Sequence, residues 1–446
     1  MYCKPGQTEA LAALQSKRLL ALLQAARATP FYGRLLQGRD LNALPLQALP
    51  VLSKTMLMQQ FDQFVADPQL TLAGLQAFCR DPQRVGERYL GRYTVWESSG
   101  SSGQSGIYVQ DPAAMAVYEN LEATRRQSPR PWLRLWDPLY LSERFAFVGA
   151  VEGHFASHVS VQRLRQTQAW MTHQWRSFSI LQPTPELLSQ LNAFAPSIIA
   201  TYPTAALLLA QAFERGELRC RPQEIWTGGE TLTAPMRDRI ESAFGCALRN
   251  SYGASEFLPI AWECAQGQLH VNADWVLLEP VDAAMQPVAA GQASHSTLLT
   301  NLANHVQPLI RFDLGDSITL SVQACACGSQ LPVVEVRGRR DDMLNLPGRD
   351  GHSISLLPLA LTTVLEDGAG LFDFQLQQLQ PLPDAGLRLS LGAGADHSAT
   401  ARARYRRVLR DFIRSQGGAD GPISVCVGEP RPLGRSGKHK RVLAAP

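Results

Sequence analysis

Ser98-Ser99-Gly100-Ser101-Ser102-Gly103-Gln104-Ser105-Gly106 lies between two strand-like runs, Tyr93-Thr94-Val95-Trp96 before it and Ile107-Tyr108-Val109 after it. A tract of Ser and Gly reads as a flexible linker where it joins domains. Here it joins two strands in mid-domain. Glycines let a backbone approach an anion, and N–H groups and hydroxyls donate to phosphate oxygens. No Gly-Lys-Ser/Thr follows, so this is not a Walker loop. The tract predicts a grip on nucleotide phosphates. Around it, residues 113–126, 184–195 and 204–215 read as helices, and 146–151 and 197–201 as buried strands. Strands alternating with helices predict an α/β core.

Upstream, residues 7–27 read as a helix, with Leu11, Leu14 and Leu22 near helical spacing and Thr29-Pro30 as its stop. The last hundred residues differ in texture. They hold a loop at 347–352, strand-like 372–376 and 387–391, and a helix near 399–415. The arginines of that helix, at 402, 404, 406, 407, 410 and 414, read as a solvated face. No internal repeat is evident. The expected layout is a large α/β domain over 1–340 and a small α+β domain over 341–446.

Composition limits the function classes. The chain has 446 residues, 45% hydrophobic and 18% charged, enough to bury a sizeable core. A net charge of +3 is too balanced to argue for nucleic acid or a membrane surface. No apolar run approaches the roughly 18 residues of a membrane helix, and 1–10 lacks a secretory pattern. A cytoplasmic enzyme is the expectation. Eight cysteines are far below a disulfide scaffold. Of 42 basic residues only five are Lys, and Lys438 and Lys440 lie in the last nine positions. Arginine supplies charge elsewhere, so Lys there is weighed as a chemical group against the plain reading of a solvated tail charge.

The Ser-Gly tract resembles the Ser-Ser-Gly-Thr-Thr-Gly loop of adenylate-forming enzymes, in their phenylacetate–CoA ligase and coenzyme F390 synthetase branch. Further motifs follow in that family's order. They are Trp226-Thr227-Gly228-Gly229-Glu230, Ser251-Tyr252-Gly253-Ala254-Ser255-Glu256, Pro308-Leu309-Ile310-Arg311-Phe312-Asp313-Leu314-Gly315-Asp316, Arg337-Gly338-Arg339-Arg340-Asp341-Asp342-Met343 and Arg435-Ser436-Gly437-Lys438-His439-Lys440-Arg441-Val442. Six motifs in order, over roughly 90–443, make the resemblance specific. It implies a large adenylate-forming domain of α/β sheets flanked by helices, with a small α+β lid. It also implies ATP-dependent activation of a carboxylic acid as acyl-AMP, pyrophosphate release and transfer to a thiol.

That chemistry holds two anions in line and neutralises phosphate charge. The resemblance assigns ATP binding to Ser98, Ser99, Gly100, Ser101, Ser102, Gly103, Gly228, Gly229, Glu230, Ser251, Tyr252, Gly253, Ser255 and Asp316. Within that set, Tyr252 is an adenine-stacking face, Gly229 and Glu230 the adenine wall, and Asp316 the ribose acceptor. Glu256 is the Mg²⁺ ligand; as a bare Ser-Glu it also reads as a helix cap. Arg339 lies near ribose and phosphates, Asp341 is the hinge, and Lys438 reaches the α-phosphate and substrate carboxylate. The acid pocket is expected around Phe147, Phe155, Tyr202 and Trp226. Those aromatics suit an aryl or other planar acid, although each alone reads as ordinary core.

Cys325-Ala-Cys327 is tight enough for both thiolates to meet one metal, and Cys264 and His270 can complete a tetrahedral structural Zn²⁺ set. Members of the resembled branch carry a similar pattern. Gln104 stands where the family often has Lys, Asn250 replaces a commonly acidic residue, and Asp313-Leu314 replaces a basic residue and Thr. The thiol acceptor is CoA or a carrier protein's phosphopantetheine. A catalytically silent binding module on the same scaffold is the reading from another class. A homodimer is left open; no nucleic acid and no membrane insertion are expected.

Overall fold

The computed structural model describes residues 5–98, 105–126, 130–137, 141–168, 171–339, 343–350, 353–356, 358–381, 385–427 and 440–445. Its backbone is a nine-stranded sheet. Five strands at one end are parallel, in the order Trp175–Ser179, Phe145–Gly149, Ile198–Thr201, Glu224–Gly228 and Ala247–Ala254. Their inner members are short apolar runs buried on both faces, as parallel strands must be. Four antiparallel strands continue the sheet: Phe257–Glu263, Leu269–Val271, Val333–Arg339 and Asp316–Leu320.

The helices on this sheet start where the sequence supplies a cap or a proline. Thr233 caps Ala234–Phe244 by accepting from Met236 N, and Pro203 opens Pro203–Glu214 at a position that needs no N–H. The predicted helices appear as Pro5–Ala26, Pro112–Arg125, Thr184–Phe194 and Pro203–Glu214, within one or two residues of expectation. The predicted strand at 146–151 ends at Gly149, because Ala150 onward turns away to feed the next helix, Ala156–Thr167.

Thr94–Glu97 and Ile107–Gln110 pair antiparallel, so the Ser-Gly tract is the loop of a hairpin. That hairpin packs into the largest hydrophobic cluster with Leu22, Phe64, Tyr252, Phe257 and Phe312. A three-stranded sheet, Val276–Val281, Ser296–Asn301 and Phe312–Asp313, closes the same cluster.

From Leu344 onward the chain has its own apolar core. Phe374, Leu376, Leu389, Tyr405 and Leu409 are almost fully buried there. A four-stranded sheet, ordered Ile423–Val427, Leu387–Leu391, Phe374–Gln378 and Val442–Leu443, carries helices Pro358–Ala369 and Ala399–Ser415. The second helix buries Ala401, Tyr405, Leu409 and Ile413 and leaves Arg404, Arg407 and Arg414 in solvent. Among the described residues, no helix is long and apolar enough to cross a membrane.

Candidate active site

The neck of the Ser-Gly hairpin is closed by two hydrogen bonds: Ser98 N donates to Gly106 O at 2.9 Å, and Gly106 N donates to Ser98 Oγ at 2.8 Å. Positions 99–104 lie outside the described residues, so Ser98 alone of the expected phosphate grip is placed. Two residues beyond the neck, the fully buried Tyr108 donates its hydroxyl to Glu256 Oε1. Burial, reinforced by that carboxylate, holds the Tyr108 phenol well above its ordinary pKa, so it stays a donor.

Glu256 occupies the turn between Ala247–Ala254 and Phe257–Glu263, where Ala254 faces Phe257 across the hairpin. It is therefore not a helix cap. Trp96 Nε1 donates to Ser255 O at 2.8 Å, and Asn301 Nδ2 donates to Glu256 O at 2.9 Å. Trp96 and Asn301 thus fix the backbone of the turn, and Tyr108 grips the carboxylate. Among the described residues its Oε2 accepts no hydrogen bond, leaving one oxygen for a ligand.

Asp316 begins a strand whose partner register sets it opposite Arg339. Tyr252 Oη donates to Asp316 Oδ2 at 2.7 Å, and Arg339 Nη1 donates to Asp316 Oδ1 at 3.3 Å. Arg339 Nη2 also donates to Leu314 O at 3.2 Å. Tyr252, Asp316 and Arg339 therefore form one cluster, with Tyr252 only 8% and Asp316 8% exposed. Burial first, then the Asp316 charge, raises the Tyr252 pKa well above its ordinary value. Arg311 in the same motif has a different fate. It adopts φ 52°, turns inward, donates to Leu49 O at 2.7 Å and pairs with Glu279 at 3.2 Å. Its charge is spent on docking the 46–52 segment, not on a nucleotide.

Gly228 and Gly253 are required by close approach. A Cβ on Gly228 would lie 2.6 Å from Ser251 Oγ, and one on Gly253 would lie 2.1 Å from Leu258 O. The first contact lets two parallel strands finish side by side, with Ser251 Oγ donating to Thr227 O at 3.1 Å. Gly229 follows with φ 78°. Glu230 then folds back so that Oε2 accepts from Thr204 N at 3.1 Å and Thr204 Oγ1 at 2.7 Å. Part of the expected adenine wall is thus tied to the start of helix Pro203–Glu214.

Phe147, Phe155, Tyr202 and Trp226 are all buried. Phe147 and Trp226 share an apolar cluster with Phe145, Val161, Trp175 and Ile198 on one face of the parallel sheet. Tyr202 Oη accepts from Ala150 N at 3.4 Å, and burial pushes its phenol up to about 12. Trp226 is held from both ends: Nε1 donates to Glu224 at 3.0 Å, and the Arg126 guanidinium lies 3.6 Å from a ring centroid.

The Cys/His set converges. The ligand atoms of Cys264, His270, Cys325 and Cys327 all lie within 4.8 Å of one another. Cys264 Sγ is 3.7 Å from Cys325 Sγ, and Cys327 Sγ is 3.3 Å from His270 Nε2. His270 Nδ1 faces Leu331 O at 2.9 Å, which leaves Nε2 for the cluster and fixes the ring as metal-bound imidazoles usually are. Backbone N–H groups of Gln266, Cys327 and Ser329 approach the sulfurs at 3.4, 3.5 and 3.4 Å. Three thiols and one imidazole at this spacing fit a closed tetrahedral Zn²⁺ set.

Over 98% of this chain and 90% of the other, the structure superposes on the crystal structure of a 2-hydroxyisobutyryl-CoA ligase in the postadenylation state, with TM-score 0.71 and 20% identity. The chain has the fold of that CoA ligase. In sequence it is similar to the phenylacetate-coenzyme A ligase of Thermus thermophilus, at 28% identity over 186 residues. It is also similar to protein CapK of Staphylococcus aureus, at 29% over 161 residues. These matches cover 39% and 35% of this chain, and 40% and 34% of the relatives' own lengths. No family model matches.

Lys438 and Asp341, the expected hinge, lie outside the described residues, as does most of the Ser-Gly tract. Sequence reasoning missed Tyr108, Trp96, Asn301 and Thr204. None carries a spacing signal, because each acts through a contact made by a distant segment.

Proposed function

We propose that this protein activates a carboxylic acid, aryl or otherwise planar, with ATP to give acyl-AMP and pyrophosphate, and then passes the acyl group to a thiol. The observation that carries this reading is that Tyr252, Asp316 and Arg339, from three motifs, are hydrogen-bonded into one polar cluster beside the Ser98–Gly106 hairpin, with Glu256 in electrostatic reach of Tyr252. In it, Asp316 accepts the ribose hydroxyls and Arg339 places positive charge beside them. The Ser-Gly tract donates to phosphate oxygens, and the Gly228–Glu230 turn lines the base. Glu256, with Oε2 free of hydrogen bonds, holds Mg²⁺, which neutralises phosphate charge when bound. Lys438 supplies the charge at the reacting α-phosphate, and residues 341–446 move as a lid about Asp341.

The zinc reading belongs to the same proposal. Cys264, His270, Cys325 and Cys327 hold a structural ion that ties the end of Phe257–Glu263 to the loop after Asp316–Leu320. Both flank the nucleotide cluster, so the ion keeps the two walls in register. CoA is the acceptor favoured by the ligase-type relatives; a carrier-protein pantetheine is the alternative. The joint presence of Glu256, Tyr252, Asp316 and Arg339 speaks against a silent binding module. A pyrophosphate-release screen across carboxylic acids tests the reading. Acid-dependent release supports it, and none with any acid, in protein that binds ATP, overturns it.

A further inference from the structure

Buried polar atoms without a hydrogen-bond partner are unevenly spread. Seven of the fourteen found among the described residues fall between 158 and 177, on helix Ala156–Thr167 and around strand Trp175–Ser179. Four of them share one interface. Trp175 belongs to the apolar cluster on the inner face of the parallel sheet, and Ser177, two residues on, points to the same side beside Phe147. Val161 of the helix packs into that cluster. His158 and Arg165, three residues before and four after it, lie on the same helix face. His158 Nδ1, Arg165 Nε, Trp175 Nε1 and Ser177 Oγ thus face a wall otherwise made of Phe145, Phe147 and Val161.

The position matters as much as the chemistry. The helix begins just past the carboxyl end of Phe145–Gly149, where open α/β sheets bind ligands. His158 is in its first turn, in the electrostatic reach of Glu152, His154 and Arg165. Glu152 in turn acts on Tyr202, which also feels Glu230. Tyr202 and His158 thus share Glu152 as a charged neighbour. His158 is 6% exposed and Trp175 9%. Burial pulls His158 down to about 4, so it is a neutral imidazole able both to donate and to accept.

Leaving a buried donor unpaired is costly, and four in one apolar interface is hard to explain by packing. A site built this way favours a ligand that satisfies it. We infer that these groups form the remote end of the acid pocket, and that the acid is aromatic with a hydroxyl far from its carboxylate. Phe147 supplies a flat apolar wall, and Phe145, stacked on Trp175 with ring centroids 4.1 Å apart, holds that indole in place. The hydroxyl oxygen accepts from Trp175 Nε1 or Arg165 Nε, and its proton goes to His158 or Ser177. This inference rests on the acid-activating reading above and narrows its substrate class.

The test is acid-dependent ATP–pyrophosphate exchange with matched pairs: benzoate against 3- and 4-hydroxybenzoate, and phenylacetate against 4-hydroxyphenylacetate. At least one hydroxylated acid should exceed its unsubstituted partner by about tenfold or more in kcat/KM, the scale on which a polar pocket discriminates. His158→Leu should shrink that ratio by about tenfold, and His158→Gln, which keeps a donor and an acceptor, should restore part of it. Ser177→Ala, at a smaller and half-buried side chain, should shrink it too and covers the case in which His158→Leu does not fold. A preference for the unsubstituted acids, or variants that lower both members of a pair equally, overturns the inference and leaves acid activation standing. No exchange with any acid overturns both.

Discussion

Tyr252 Oη donates to Asp316 Oδ2 at 2.7 Å, joining two motifs that stand 64 residues apart in the chain. The bond ties the hairpin that carries Glu256 to the strand that carries the expected ribose acceptor. It also orients the Asp316 carboxylate, whose other oxygen is turned to Arg339.

Tyr252→Phe should therefore act through Asp316. The lost bond is worth about 1 kcal/mol to a buried acceptor, so KM for ATP should rise roughly fivefold with little change in kcat. Asp316→Ala removes the acceptor itself and should cost considerably more in the same parameter. Steady-state kinetics with varied ATP checks the order. A Tyr252→Phe protein with wild-type KM would mean that the bond only packs the core.

Glu256→Gln keeps the shape of the side chain and the Tyr108 contact but weakens the Mg²⁺ ligand. Activity should fall at ordinary Mg²⁺ and recover in part when Mg²⁺ is raised. Titration of activity against Mg²⁺ reads this directly, and an unchanged dependence would remove Glu256 from the metal.

Lys438→Ala should lower adenylation by on the order of 10²–10³ in rate, the usual effect of losing one charged contact to a reacting centre. Thiol transfer from a pre-made acyl-adenylate should suffer far less, because a lid that rotates carries Lys438 away for that step. Equal loss in both half-reactions would argue against rotation.

Protein purified without chelator should carry about one zinc per chain, bound by three thiolates and one imidazole. Cys325→Ser should lower metal content and melting temperature first, with activity following. Elemental analysis paired with thermal melts decides it. A zinc-free native protein, or a variant of unchanged melting temperature, would count against the site.

Arg441 lies 7% exposed and pairs with the fully buried Glu366, whose second oxygen accepts from Thr233 on the large domain. Arg441→Met should destabilise the small domain by roughly 3–5 kcal/mol, because it strands a buried carboxylate. Arg441→Met combined with Glu366→Leu should recover much of that loss. A denaturant melt of the single and double variants separates a buried ion pair from simple packing.

The sequence by itself determined the fold class, the order of the motifs and most element positions. Periodicity and caps are local: Pro203, Thr233 and the Leu spacing of the first helix act within a turn or two of themselves. It also singled out Glu256, Asp316, Arg339 and the Cys/His set as residue types whose chemistry suits their proposed roles. What each would touch was decided only by tertiary structure. Arg311 and Arg339 look equally available in the sequence, yet one is buried against Glu279 and Leu49 while the other faces Asp316. Ser255-Glu256 reads as a helix start, but the strand pairing of Ala254 with Phe257 makes it a hairpin turn. Tyr108, Asn301 and His158 gained their places from strands and helices packed against them from far along the chain. Such contacts depend on how faces meet in space, and no local spacing encodes that.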